Sequence, residues 1–560
     1  MYAGVDVGGT YTDAVLLKEN NVLKIAKIPT EGDLLKSILG ALDAVLEGVD
    51  SAELERVVFS TTVITNLIAG RKFEKAALFL IPGPGLKRDY GLLGTDVWVL
   101  KGAIDYRGRE IAPLDEKEIG VAVKEAAARG YTKVGVVGKF SPRNTLHEKK
   151  VASLIKEMYP EWEVELGSHV GPQLNFPRRI ESTYLTCITR EPYRRFIQSV
   201  KTALEKRGIT AEAYILKADG GTFPLDSAGE IPVETIFSGP AASTLGVLAL
   251  TPPESTTVVV DIGGTTTDLA LILSGQPLLS SRGAKVEGRL TQVRALAVRS
   301  VPVGGDSTVE IIDGEVTLKN WRKGPAYCVG GPAPTPTDAL RALGLTSYGD
   351  EKKAKRAMEI LGERAGLEPD EVARKVIEAV VESITAEIKD MFSEWEQEPA
   401  YRVWEVLQKK RVKPNLIAGV GGGASGFLPL ISNKMGLKSY IPPYAEVANA
   451  IGAAVAMPTI QVNLRADTEQ GFYIIQEEGY QGSIGTGVVS ERDVLLLAKE
   501  WLLKRAKKLG LCFDLHEVEI IRKEMFNMVR GWNTAGRLFD ITVQTPRGIK
   551  TRIAERGDSK

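Results

Sequence analysis

The sequence has few of the residues that build disulfide scaffolds and transition-metal centres. It contains 3 cysteines and 3 histidines, and no two of them stand at the spacing of a zinc, iron–sulfur or helical histidine site. These residues are Cys187, Cys328, Cys512, His147, His169 and His516. The pattern argues against a disulfide framework, indicates reduced thiols, and leaves only carboxylate sites open for a metal.

Net charge, long apolar runs and a leader are missing as well. The 71 basic side chains are balanced by 71 acidic ones, so no overall field draws the chain to nucleic acid or to an anionic membrane. No apolar stretch approaches the roughly 20 residues that span a bilayer, and the first apolar strand follows Met1 too closely for a signal peptide. We expect a cytoplasmic protein without membrane or nucleic-acid contacts. Its 560 residues favour two or three domains.

A P-loop is also absent, because no GxxxxGK[ST] segment occurs, but the chain contains an internal repeat. Residues 6–13 read DVGGTYTD and residues 261–268 read DIGGTTTD, so six of the eight positions are identical. A β-rich run precedes and follows each copy, which predicts a hairpin whose turn holds the glycines. The wide separation of the copies indicates a duplicated domain.

The repeated turn suggests phosphate binding. A Gly-Gly-Thr turn offers open backbone N–H groups that converge on phosphate oxygens, and the aspartate before it can hold Mg²⁺, which makes Asp6 and Asp261 the predicted metal residues. Asp13 and Asp268 either orient the turn or act as a base. An ordinary hairpin with a structural aspartate explains one copy, but two matched copies favour a polyphosphate held between two turns. The predicted phosphate contacts are Gly8, Gly9, Thr10, Thr12, Gly263, Gly264, Thr265 and Thr266.

A glycine-rich segment, GVGGGASG at 419–426, follows a predicted strand and precedes a predicted helix. Its glycines satisfy GxGxxG with Glu446 downstream, which is the pattern of a dinucleotide site. A dinucleotide site would leave both repeats unexplained. A purely structural turn is the second alternative. We favour a turn that lets the backbone lie against an adenosine, formed by Gly421, Gly422, Gly423 and Ser425.

Strand-like and helix-like segments alternate through the first half, at 57–60, 75–81, 116–129 and 133–139, which indicates an α/β sheet covered by helices. Helices of small residues at 238–247 and 446–456 close the two halves at corresponding positions. After Pro458 the composition changes, and strand patterns surround one clear helix at 491–508. We predict two α/β domains, 1–250 and 251–457, and a smaller C-terminal α+β domain, 458–560.

The order of turns and closing helices resembles the actin/Hsp70/hexokinase superfamily, which implies duplicated RNase H-like domains around a nucleotide cleft. Within it, the chain resembles the A-type subunit of the hydantoinase/oxoprolinase family more closely, over residues 1–457. Besides the two repeats, the matching segments are STTVITN at 60–66, SPRN at 141–144 followed by His147 and Glu148, DGG at 219–221 and SGPAAS at 238–243.

The resemblance implies an enzyme that uses ATP and Mg²⁺ to phosphorylate a carbonyl oxygen of a cyclic amide, of the hydantoin or 5-oxoproline type, or of a ketone. Ring opening or carboxylation then follows. It also implies a B-type partner subunit and an oligomer. Two alternatives stay open: a small-molecule kinase of the same superfamily, and a non-catalytic ATP-dependent clamp.

Two departures from the family leave the substrate undetermined. Asp306 stands where the family usually has glycine, and the region after 457 does not resemble the usual family tail. Asn66, Arg143, His147 and Asp306 are the candidate substrate-side groups, although each alone is more often an exposed or structural residue. The adjacent Arg178 and Arg179 are interpreted as a solvated basic pair.

Overall fold

The computed structural model describes residues 1–71, 73–85, 95–227, 232–252, 255–397, 413–487 and 489–554. Residues 555–560 of the predicted C-terminal domain lie outside this described part. The described helices are α1 (Leu34–Leu46), α2 (Val63–Ala69), α3 (Glu116–Ala128), α4 (Leu146–Met158), α5 (Gly167–Val170), α6 (Phe176–Lys206), α7 (Ser238–Leu250), α8 (Pro336–Ala342), α9 (Glu351–Ala365), α10 (Pro369–Gln397), α11 (Ala424–Met435), α12 (Ala448–Val455) and α13 (Glu491–Lys508).

The strands fall into three groups along the chain. The first group is β1 (Tyr2–Val7), β2 (Tyr11–Lys18), β3 (Asn21–Pro29), β4 (Arg56–Thr61), β5 (Ala77–Ile81), β6 (Val97–Val99), β7 (Ala103–Ile104), β8 (Glu110–Ala112), β9 (Lys133–Gly138), β10 (Glu163–Leu166), β11 (Glu212–Leu216) and β12 (Thr222–Pro224). The second is β13 (Thr257–Ile262), β14 (Thr267–Leu273), β15 (Gln276–Pro277), β16 (Lys285–Val286), β17 (Arg289–Leu290), β18 (Val298–Val301), β19 (Val309–Ile312), β20 (Glu315–Leu318), β21 (Leu416–Val420) and β22 (Lys438–Tyr440). The third is β23 (Gln461–Asp467), β24 (Phe472–Ile475), β25 (Tyr480–Ser483), β26 (Glu519–Arg530) and β27 (Asn533–Gln544).

Two sheets share one connectivity. In the first, with the order β12-β11-β4-β1-β2-β3, an antiparallel meander of β1, β2 and β3 is followed by β4 parallel to β1 and β11 parallel to β4. In the second, β13 and β14 form the antiparallel hairpin, β21 is parallel to β13, and β22 is parallel to β21. The strand next to each hairpin is buried and apolar, as expected for a parallel strand covered on both faces. This topology confirms the predicted duplicated RNase H-like fold class.

The first half differs from the prediction of a single sheet. The strands predicted at 75–81 and 133–139 do not join the strand predicted at 57–60, but lie in a separate parallel sheet with the order β10-β9-β5-β6. The physical reason is that β1 and β11 already occupy both hydrogen-bonding edges of β4. The extra sheet buries its own apolar core with α3 and α4.

The two small-residue helices, α7 and α12, pack against each other between the duplicated sheets. An added Cβ at Gly246 would stand 2.0 Å from the Ala448 carbonyl oxygen, and one at Gly452 would stand 1.9 Å from the Ala242 carbonyl oxygen. Neither position has room for a side chain, so the helix backbones are in contact. One apolar cluster joins both helices to both sheets, and the helix packing therefore sets how far apart the two halves lie.

The C-terminal region forms an antiparallel sheet with the order β25-β24-β23-β27-β26. Helix α13 covers it, and the buried residues of the helix share an apolar cluster with β23 and β27. Ser490 caps the helix by accepting the Asp493 backbone N–H with its side chain. This arrangement confirms the predicted C-terminal α+β architecture.

Candidate functional site

Both repeats form the same hairpin. Strands β1 and β2 pair Asp6 with Asp13 across the ladder, and β13 and β14 pair Asp261 with Asp268 in the same way. The Gly8 N–H donates to the Tyr11 carbonyl at 3.1 Å, and the equivalent bond runs from Gly263 to Thr266 at 2.9 Å. The sequence repeat is therefore a repeat of backbone geometry.

The aspartates that open the two turns, Asp6 and Asp261, lie close enough to interact. Burial, together with the negative charges of Asp268 and Asp6, raises the pKa of Asp261 to about 7. Burial also raises the pKa of Asp6. Two carboxyl groups from different halves of the chain thus lie near each other, and a cation between them would relieve their mutual repulsion.

Three polar side chains support the carboxyl groups of Asp6 and Asp13. Ser60 Oγ donates to Asp6 Oδ1 at 2.5 Å, and Asn449 Nδ2 donates to Asp6 Oδ2 at 3.3 Å. Lys27 Nζ lies 2.8 Å from Asp13 Oδ1 and also donates to the Glu446 carbonyl oxygen at 3.1 Å. No sequence pattern pointed to Lys27 or Asn449, whereas Ser60 stood in a recognised motif without an assigned role.

The aspartates that end the repeats are also held away from water. Burial raises the pKa of Asp13 to about 6, against the opposing effect of Lys27. Burial raises the pKa of Asp268 to about 6, against a hydrogen bond with Ser300. Both groups therefore titrate near neutral pH, which is the range that a general base requires.

The predicted phosphate contacts differ in exposure. Gly9 and Thr10 are exposed at the tip of the first turn, and the corresponding residues of the second turn, Gly264 and Thr265, are half-buried. Thr12 is fully buried instead, and its hydroxyl shares a 3.0 Å hydrogen bond with Thr30. The remaining predicted contacts, Gly8, Gly263 and Thr266, make the turn-closing bonds already described.

The glycine-rich segment lies against the second turn. Gly421 has a φ of +83°, and an added Cβ there would stand 2.5 Å from Asp261 Oδ1. The Gly423 N–H donates to the Ile262 carbonyl at 3.0 Å, which ties the segment to the end of β13. An added Cβ at Gly422 would meet no atom within 4 Å, and this glycine and Ser425 are exposed. The segment thus presents open backbone beside the cleft.

The structure separates the four substrate-side candidates into two pairs. Asn66 Nδ2 lies 3.0 Å from where a Gly9 Cβ would stand, and the Asp306 N–H donates to the Gly264 carbonyl at 2.7 Å. Asn66 and Asp306 therefore lie at the two turns. Arg143 and His147 are buried elsewhere: Arg143 Nη2 lies 3.6 Å from Asp540 Oδ2 of the C-terminal sheet, and His147 Nε2 lies 2.7 Å from Glu110 Oε1.

The interpretation of the neighbouring arginines as a solvated pair is wrong for Arg179. Its side chain is fully buried in α6, where Nη2 donates to the Lys139 carbonyl at 2.8 Å and Nη1 donates to the Gln173 carbonyl at 2.9 Å. Burial lowers the pKa of Arg179 to about 10. The guanidinium holds two loops by their carbonyl oxygens, and this long-range role leaves no signal in the local sequence.

The described part of the chain also lacks two features. No helix there is long and apolar enough to cross a membrane. No group of three or more histidine, cysteine, aspartate or glutamate side chains is arranged to hold a metal ion among the residues searched.

The chain matches two family models and is similar to several known proteins. The family model for Hydantoinase/oxoprolinase matches residues 179–462, and that for the Hydantoinase/oxoprolinase N-terminal region matches residues 2–159. Caprolactamase subunit alpha of Pseudomonas jessenii is 26% identical over 62% of this chain and 55% of its own length. The acetophenone carboxylase gamma subunit of Aromatoleum aromaticum is 25% identical over 69% of this chain and 60% of its own length. The chain thus spans less than two thirds of these curated relatives.

The fold has a solved counterpart. The nucleotide-free structure of acetone carboxylase superimposes with a TM-score of 0.74 at 17% identity, covering 98% of this chain and 87% of that one. At this identity the likeness concerns the fold. The first family model alone matches half of the sequence, and the second adds the N-terminal region that carries the first turn. The chain belongs to the hydantoinase/oxoprolinase family.

Proposed function

We propose that this chain binds Mg-ATP between the two repeated turns and transfers a phosphoryl group to a carbonyl oxygen of a cyclic amide or a ketone. The observation that carries the proposal is the matched geometry of the two hairpin turns, each preceded by an aspartate whose pKa burial raises. The names of the relatives support it, since one is a caprolactamase and the fold counterpart is described as an ATP-dependent acetone carboxylase.

The residues present fit a magnesium–nucleotide complex. Mg²⁺ prefers oxygen ligands and commonly takes one or two carboxylates together with phosphate oxygens and waters, so Asp6 and Asp261 suffice as protein ligands. When bound, the metal neutralises phosphate charge. The open backbone at Gly422 offers room for the nucleoside.

The proposed step is an in-line displacement at phosphorus. The substrate carbonyl oxygen forms a bond to the γ-phosphorus, while the bond from that phosphorus to the bridging oxygen breaks and its electron pair leaves on ADP. In this chain the turn N–H groups orient the phosphates, and burial in the cleft limits competition from water. With a cyclic amide, water adds to the activated carbon, the ring C–N bond breaks with a proton going to the amine, and a second water releases inorganic phosphate from the resulting acyl phosphate. With a ketone, loss of an α-proton gives an enol phosphate; transfer of its phosphate to bicarbonate forms an enolate and carboxyphosphate, which breaks down to inorganic phosphate and the CO2 that the enolate carbon attacks.

A substrate panel tests the proposal. Purified protein together with a B-type subunit is incubated with Mg-ATP and with lactams, hydantoins or ketones, with bicarbonate added in the ketone series, and both inorganic phosphate and the organic product are measured. Free phosphate stoichiometric with an opened or carboxylated product is expected for one class. A stable phosphate ester would instead identify the kinase alternative. Turnover that no small molecule alters, but a protein partner does, would identify the clamp.

The substitution Gly422→Val is expected to weaken nucleotide binding about tenfold, equivalent to ~1.4 kcal/mol. A Cβ at this exposed position meets no atom of the nucleotide-free protein within 4 Å, so its melting temperature should not change. Calorimetric titration with ATP measures the first effect and thermal unfolding the second. Gly421→Ala is the matched control, because its Cβ would collide with Asp261 at positive φ and lower the melting temperature itself. Equal ATP affinity in wild type and Gly422→Val would count against the nucleoside assignment.

We also propose that a second subunit completes the chemistry. The curated relatives are named as individual subunits, caprolactamase alpha and acetophenone carboxylase gamma. The isolated chain is expected to bind Mg-ATP and to hydrolyse it slowly, while ring opening or carboxylation requires a B-type subunit. The measurement is substrate conversion by this chain with and without that subunit. Efficient stoichiometric conversion by the chain alone would contradict the proposal.

A further inference from the structure

One side chain contacts both halves of the cleft at the two turns. Arg322 Nη2 donates to Thr10 Oγ1 of the first turn at 3.1 Å. Its Nη1 lies 3.6 Å from Asp306 Oδ2 and 3.3 Å from where a Cβ on Gly264 of the second turn would stand. The guanidinium therefore occupies the position between the turn tips, where the proposed polyphosphate would carry its highest charge.

The backbone around Arg322 fixes this position. The Thr308 N–H donates to the Trp321 carbonyl at 3.1 Å, and the Lys319 N–H donates to the Thr308 carbonyl at 2.9 Å. These bonds join the segment around Thr308 to the segment that carries Arg322. The Asp306 N–H in turn donates to the Gly264 carbonyl, so the arginine, its carboxylate partner and the turn form one connected unit.

The other cations of this segment are directed elsewhere. Lys319 Nζ lies 3.4 Å from Glu310 Oε2, and Lys323 Nζ lies 3.7 Å from Glu310 Oε1. Arg322 is the member of this trio that reaches the first turn. Its planar fork of N–H donors suits phosphate oxygens better than a lysine ammonium does, and its side chain keeps 36% of its surface exposed to the cleft.

We propose that Arg322 is the cation that compensates the charge of the transferring phosphoryl group, and that Asp306 and Thr10 hold it in place when no nucleotide is bound. This inference rests on the proposed function. Phosphoryl transfer depends on charge compensation, and an arginine so placed raises kcat by about 10³–10⁵-fold in other nucleotide hydrolases. Asp306 is a counter-anion that phosphate replaces, which gives a role to a carboxylate where the family usually has glycine.

The test compares Arg322→Ala and Arg322→Lys with Lys323→Ala, a matched control that removes a neighbouring cation paired to Glu310. Expected for Arg322→Ala is a loss of kcat of about 10²-fold or more, with partial recovery in Arg322→Lys and wild-type values in Lys323→Ala. Because turnover of the isolated chain is expected to be slow, binding of ADP with and without aluminium fluoride, which mimics the transferring group, gives a second readout. Wild type should bind ADP with aluminium fluoride more tightly than ADP alone. Arg322→Ala should lose that difference, while its affinity for ADP alone stays within about threefold of the wild-type value.

The possible outcomes distinguish the proposed function from the role given to Arg322. Wild-type protein that does not bind Mg-ATP overturns the proposed function and this inference with it. Wild type that binds Mg-ATP, together with an Arg322→Ala variant that keeps both its kcat and its preference for aluminium fluoride, overturns this inference alone. Asp306→Asn gives an independent check, because removing the counter-anion should strengthen Mg-ATP binding by about threefold or more. Weaker binding in Asp306→Asn would contradict the role given to Asp306.

Discussion

Asp261→Asn is expected to abolish most ATP turnover and at the same time to stabilise the nucleotide-free protein at pH 8. The folded state raises the pKa of Asp261 from 3.8 to about 7, so it binds this proton more tightly than the unfolded chain does. The proton on Asp261 therefore makes its whole contribution to the free energy of unfolding below pH 4. This contribution falls as the pH rises from 4 to 7 and is absent above pH 7. Asparagine carries no charge at any of these pH values. At pH 8 the variant should gain about 1–3 kcal/mol, since one pKa unit corresponds to ~1.4 kcal/mol.

Urea unfolding of both proteins at pH 5 and pH 8 measures this gain, and phosphate release measures turnover, which should fall about 10²-fold or more because a metal ligand is lost. Asp219→Asn is the matched control. Burial alone would raise the pKa of Asp219, but Lys217, Arg294 and the Gly221 N–H bring it below the ordinary value. That variant should lose stability at pH 8. Wild-type turnover in Asp261→Asn, or lower stability at pH 8, would refute the role assigned to Asp261.

Gly452→Ala is expected to disrupt the contact between α7 and α12 and to lower the free energy of unfolding by about 3 kcal/mol or more, the range of severe core overpacking. Its Cβ would stand 1.9 Å from the Ala242 carbonyl oxygen and 2.6 Å from the Gly246 backbone nitrogen, so two helix backbones must separate. Because these helices set the distance between the halves, Mg-ATP affinity should fall with stability.

Denaturant unfolding and ATP titration measure the two effects of Gly452→Ala. The control is Gly120→Ala in α3, where an added Cβ meets no atom within 4 Å. Alanine there should stabilise the protein by about 0.5–1 kcal/mol, since it favours the helix over glycine. A Gly452→Ala protein as stable as wild type would show that the helices do not depend on backbone contact.

The hairpin turns and the closing helices were predictable because their signals are local. The β-rich runs on either side of a glycine pair predict the Asp6–Asp13 hairpin, and runs of glycine and alanine predict a helix that packs closely against another helix. The separate sheet containing β5 and β9 was not predictable, because strand periodicity shows that a strand exists but not which neighbour it pairs with. Arg179 was misread for a similar reason: the carbonyl groups that surround it come from residues 138–139 and 173.

By itself, the sequence determined the geometry of the repeated turn and the duplicated fold. Because a duplication places equivalent residues in equivalent positions, it also implied that Asp6 and Asp261 lie near each other. Hydrogen bonding within a hairpin depends on residues that are neighbours in the chain, so a short motif contains the information. Only the tertiary structure decided that Lys27 and Asn449 support the carboxyl groups, that burial raises the pKa of Asp261 to about 7, and that Arg322 reaches Thr10 across 312 positions of sequence. The Asn449–Asp6 and Arg322–Thr10 contacts join the two halves, so they depend on how closely α7 and α12 pack, because that packing sets the distance between the halves.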